Sequence, residues 1–139
     1  MAMEKFDQDK IKEIVKKHNL KLLLLFGSQV SGKTHPMSDF DFGFISEKEL
    51  DYKQKSELVH KLTILAKFSD TEGVDLKKAS PFLLKEIVKN NQIIFEKGEA
   101  YAEFFSNAVR IYFEAKPIFN LQKIIYSNVI NKYRKEYAK

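Results

Sequence analysis

Apolar residues recur with a helical period from Glu4 to His18, where Phe6, Ile11, Ile14 and Val15 form a stripe among charges. Asn19 ends that helix. Leu20 to Phe26 is uniformly apolar and too short for a surface helix, so it predicts a central strand. Gly27 and Ser28 then open a polar loop whose later part Pro36 keeps irregular. From Ser38 to Ile45 the pattern alternates: Asp39 and Asp41 leave one face of a second strand, and Phe40, Phe42 and Phe44 leave the other. A helical period returns from Asp51 to Phe68 through Leu58, Leu62 and Leu65. Gly73 to Ala79 predicts a third strand, with Val74 and Leu76 on one face and Asp75 and Lys77 on the other. Ser80 caps a short helix that starts at Pro81 and runs to Lys89, and Gln92 to Phe95 forms a last strand before Gly98.

Beyond Gly98 the pattern is helical. Tyr101, Phe104, Phe105, Ala108, Val109, Tyr112 and Phe113 repeat at i, i+3, i+4 and i+7. Pro117 predicts an interruption, with a second helix from about Ile118 carrying Leu121, Ile124, Ile125, Val129 and Tyr133. Residues 1–98 therefore read as a core, and residues 99–139 as aromatic-rich helices of the same compact unit. Those helices hold more apolar surface than one face of a small sheet needs, which suits core closure, a partner surface or a homodimer.

Composition narrows the class. With 139 residues, 44% of them hydrophobic, the chain suits one domain. The absence of cysteine excludes disulfides and thiolate metal sites. No apolar run approaches the roughly 18 residues of a membrane span, and the first ten residues lack the apolar stretch of a signal peptide. A soluble cytoplasmic protein is the expectation. Of the net charge of +5, most lies after residue 96, where eight Lys/Arg stand against four Glu. That excess is a weak argument for nucleic acid and suits a solvated helix end.

Two familiar motifs in the loop fail on context. Residues 27–34, GSQVSGKT, satisfy the phosphate-loop pattern G-x-x-x-x-G-K-[ST] after an apolar strand. That loop needs a helix beginning at its Lys-Thr pair, whereas here Pro36 and an alternating strand follow at once. Asp41-Phe42-Gly43 spells the magnesium triplet of protein kinases, but the chain is too short for a kinase and has no H-R-D loop. The scattered histidines His18, His35 and His60 form no zinc or triad spacing.

What survives is Gly27-Ser28, ten intervening residues, Asp39-Phe40-Asp41, and later Gly73-Val74-Asp75. This constellation resembles the DNA polymerase β superfamily of nucleotidyltransferases. Within it, the chain looks like the minimal nucleotidyltransferases (MNT proteins) that act as antitoxins to HEPN ribonuclease toxins. The resemblance covers about residues 20–96. It implies an α+β, polymerase β-like nucleotidyltransferase fold: a small mixed sheet with helices packed mainly on one face, plus a C-terminal helical extension.

It further implies a Mg²⁺-dependent adenylyltransferase that moves AMP from ATP to a tyrosine hydroxyl of a HEPN toxin and so inactivates it. Nucleotidyl transfer is an in-line displacement in which charge builds on attacking and leaving oxygens, and two Mg²⁺ ions with hard oxygen ligands neutralise it. Asp39, Asp41 and Asp75 are the implied metal ligands and catalytic acids, with Glu72 and Asp70 as competitors for the third place. Glu72 reads more readily as a turn residue. Gly27 lets backbone approach the triphosphate, Ser28 offers a hydroxyl, and Lys33 offers a cation to phosphate. Two alternatives stay open: a binding module that masks its toxin without catalysis, and a nucleotidyltransferase for a small hydroxylated substrate.

Overall fold

A computed structural model describes residues 6–27, 40–67 and 69–137. The chain order is α1 (Gln8–His18), β1 (Leu20–Phe26), β2 (Phe40–Ser46), α2 (Tyr52–Leu65), β3 (Thr71–Asp75), α3 (Pro81–Lys89), β4 (Asn91–Glu96) and α4 (Ala100–Tyr137). The four strands form one mixed sheet in the order β3-β2-β1-β4, with β1 antiparallel to both neighbours and β3 parallel to β2. The uniformly apolar β1 is central because both of its faces are covered: Leu22, Leu23 and Leu24 are fully buried.

Helix boundaries follow local chemistry. Asp7 accepts from the Asp9 and Lys10 amides and opens α1, and Asn19 closes it in the left-handed conformation, φ 50°. Asp51 and Gln54 form a reciprocal capping box at 2.8 and 3.0 Å before α2. Ser80 caps α3 with Pro81 in its first turn, as expected.

The helices divide between the two faces of the sheet. On one, α1 and α2 cover Leu23, Leu25, Phe40, Phe42 and Phe44 with Ile11, Ile14, Leu58 and Leu62. On the other, α3 and the start of α4 cover Leu22, Leu24 and Phe26 with Leu84, Ile87, Phe104 and Ala108. Helices gathered mainly on one face describe α1 and α2 only, because the apolar start of α4 needs the second face of β1.

Two further expectations change. Strand β3 begins at Thr71, two residues earlier than the alternation alone suggests, and ends at Asp75. Pro117 lies inside one continuous helix of 38 residues rather than between two. A proline removes one backbone donor, but the flanking periodicity carries the helix across it.

Candidate active site

The site lies where β1 runs into Gly27. This glycine has φ +84°, a left-handed conformation that side chains disfavour, and a Cβ built on it would lie 2.4 Å from Oδ2 of Asp41. The Asp41 carboxylate therefore rests directly against the Gly27 backbone. No other residue type fits there without moving it.

Strand register explains the contact. Phe26 pairs with Asp41, so Gly27 follows one step beyond that pair. Phe40 and Phe42, on either side of Asp41, are buried on the opposite face with ring centroids 6.3 Å apart, and both contact Phe6. Those anchored rings fix the strand's rotation and turn Asp41 toward Gly27.

The third strand places its two acids differently. Asp41 pairs with Glu72, and Phe44 pairs with Asp75. Register partners share a face, so Glu72 stands level with Asp41 on the same face, about 4.8 Å away strand to strand. Gly73 confirms the phase: a Cβ there would meet Val59 of α2, so residue 73 faces α2 and residue 72 faces away from it. Asp75 lies three register steps along, about 10 Å, on the face of Phe44. Its Oδ1 accepts from the Lys77 amide at 3.0 Å, a local turn bond. The structure thus does not bring the expected Asp75 to Asp41, and brings Glu72 instead. The missed signal was Thr71, a β-branched residue that extends the strand backward and makes Glu72 a strand residue.

Lys77 turns elsewhere, donating from Nζ to the Ser46 carbonyl at 3.2 Å. At the same level on β4, paired with Phe26, Asn91 donates to the Ile87 carbonyl and the Tyr101 hydroxyl, each at 3.0 Å. Ser28, Lys33 and Asp39 lie outside the described residues. Among the described residues no group of three or more His, Asp or Glu is close enough to hold a metal. The donor chemistry present, carboxylate oxygens of Asp41 and Glu72 beside an open backbone, suits a hard divalent cation. Strands β1 and β2 pair antiparallel, whereas a phosphate loop joins strands of a parallel βαβ unit; residues 28–39 between them lie outside the described residues.

A mixed sheet whose first strand ends in a glycine turn against a strand-borne aspartate defines a nucleotidyltransferase fold. The sequence pattern of the family described as "Polymerase beta, Nucleotidyltransferase" matches residues 9–100, and the chain belongs to that family. Among solved structures, a toxin-antitoxin complex with AMP-PNP shares 26% identity, covering 89% of this chain and 98% of that one, with a TM-score of 0.71. An MntA-HpeT toxin-antitoxin mutant with two aspartates changed to glutamate is similar at 25% identity, the same coverage and a TM-score of 0.71. A tri-AMPylated Shewanella oneidensis HEPN toxin in complex with MNT antitoxin shares 24% identity over 88% of this chain and 94% of that one, TM-score 0.64; that likeness is one of fold. No curated protein matches the chain. No helix among the described residues is long and apolar enough to cross a membrane.

Proposed function

We propose that this protein is an antitoxin adenylyltransferase of the cytoplasm, which transfers AMP from ATP to a tyrosine hydroxyl of a HEPN-family ribonuclease. The observation that carries the reading is the Asp41 carboxylate seated on Gly27 with Glu72 level beside it, in a chain of the polymerase β nucleotidyltransferase family. Similarity to toxin-antitoxin complexes, one of them with AMP-PNP, supports both nucleotide and partner.

In this reading Asp39 and Asp41 hold Mg²⁺, and Glu72 takes the third acidic place that the resemblance had assigned to Asp75. Bound Mg²⁺ would supply neutralising charge at the α-phosphate and the departing pyrophosphate. Gly27 admits the triphosphate close to backbone, Ser28 donates to it, and Lys33 adds a cation. Glu72 is placed to take the proton of the acceptor hydroxyl, whose oxygen bonds to the α-phosphorus as the bond to pyrophosphate breaks. An AMP group on the toxin adds negative charge and bulk where RNA must approach.

The test is to incubate the protein with ATP, Mg²⁺ and a HEPN protein found in the neighbouring reading frame, then weigh that protein by mass spectrometry. One or more added AMP units are expected, and none with Asp41→Asn. An unmodified partner that is still neutralised would replace transfer by masking. Lys33→Ala should slow transfer without abolishing it, since a true phosphate-loop lysine would be indispensable.

A further inference from the structure

Helix α3 and the middle of α4 part to leave a groove of about 440 Å³, and both helices contribute to its chemistry. Phe82 and Lys85 come from α3. Helix α4 supplies Tyr112, Phe119 and Tyr126, with Lys116 and Lys123 beside them. At about 100° per residue these five side chains leave α4 within an arc of about 80°, and the three rings span about 21 Å of its axis. Tyr112 and Phe119 are half-buried with ring centres 6.1 Å apart, and Lys85 Nζ lies 5.2 Å from the centre of Tyr112. Phe82 and Tyr126, 59% and 69% exposed, present open ring faces above that floor. Among the described residues lining the groove there is no carboxylate, and Asn120 and Gln122 add amides.

This chemistry selects what the groove can hold. Three ammonium groups with no acid between them suit several negative charges in a row. Aromatic faces are themselves negative, so carboxylates of an acidic protein surface gain nothing by lying on them, whereas planar nucleobases stack there. The same groove of a second copy would set lysines against lysines. Rings spaced along a line suit a strand whose bases are unpaired, since a duplex keeps its bases stacked on each other. The two amides and the Tyr126 hydroxyl offer donors and acceptors to the 2′-hydroxyl that ribose has and deoxyribose lacks.

We propose that the groove between α3 and α4 binds single-stranded RNA, with phosphates on Lys85, Lys116 and Lys123 and bases on Phe82 and Tyr126. Charge counted along the chain does not reveal this site, because Phe82 and Lys85 meet the α4 residues only in the fold. The groove shares no residue with the Gly27–Asp41 contact and does not rest on AMP transfer. RNA binding and transfer are measured apart, so either can fail alone.

The experiment follows the fluorescence anisotropy of a labelled oligouridylate of about 10 nucleotides with the full-length protein, without ATP or Mg²⁺. Affinity should fall about 20-fold between about 50 and 200 mM salt, the slope of three phosphate contacts on a single strand. Phe82→Ala and Tyr126→Ala should each weaken binding about tenfold. K116E/K123E should abolish it, with native far-ultraviolet circular dichroism in all three variants. Wild-type affinity in both alanine variants, or binding that ignores salt, would overturn the proposal. Equal affinity for the matching oligodeoxyuridylate would overturn the assignment to RNA. Tighter, groove-dependent binding of polyglutamate would replace RNA by an acidic protein surface.

Discussion

Gly27 is the residue against which the Asp41 carboxylate rests. Gly27→Ala would place a methyl group 2.4 Å from Asp41 Oδ2 and force alanine to φ +84°. The conformational part alone costs about 1–2 kcal/mol, so a lowered melting temperature and near-complete loss of AMP transfer are expected together. A mass-spectrometric transfer assay with a thermal melt checks both. The two acids of β3 separate in the same assay. Glu72→Gln should slow transfer about 100-fold, the scale of a lost general base, and Asp75→Asn should change it little; the reverse order would return the third place to Asp75. His18 gives a pH signature. It is 5% exposed and its Nε2 finds no hydrogen-bond partner. Burial, with help from Lys17, holds its pKa below the ordinary value, against a smaller opposing effect of Glu57. The unfolded chain then takes up a proton that the native state resists, so stability falls as pH drops below about 6.5 toward the native pKa. Melting temperatures at pH 7.5 and 5.5 should differ, and His18→Leu should narrow the difference.

At the scale of elements, packing of α2 on the sheet carries much of the stability. Leu62 is fully buried among the phenylalanines of β2, and Leu62→Ala should cost about 2–5 kcal/mol in denaturant unfolding. Pro117→Ala restores a backbone donor within α4. Slower amide hydrogen exchange over residues 118–125 is expected, with the core unchanged. Much of the fold was legible because local signals agreed with burial: the all-apolar β1, the Ser80-Pro81 start of α3, and the DFDF alternation. Asp41 and Gly27 were legible for the same reason, since strand phase and turn chemistry are local. The pairing of Glu72, rather than Asp75, with Asp41 was not. Val74 and Leu76 share a face whichever way the strand rolls, and only pairing with β2 decides that this face is the one bearing Asp41. Continuity through Pro117 was equally hidden, because the rule that prolines break helices gives way when periodicity resumes on the same face.

For the whole molecule, the two faces of the sheet divide the work. The α1–α2 side is a closed aromatic core that holds Asp41's strand in phase. The other side carries the acids at one end and continues, through α4, into an exposed basic and apolar helix. In the proposed function these acids move AMP from ATP onto a HEPN-family protein. The direct measurement is the intact mass of a HEPN protein, should one be encoded beside this chain, after incubation with ATP and Mg²⁺, beside Asp41→Asn and a chelator control. The account predicts one or more added AMP masses on a tyrosine with the wild-type protein and none in either control. A partner of unchanged mass bound to wild-type protein, or equal modification by Asp41→Asn, would contradict it.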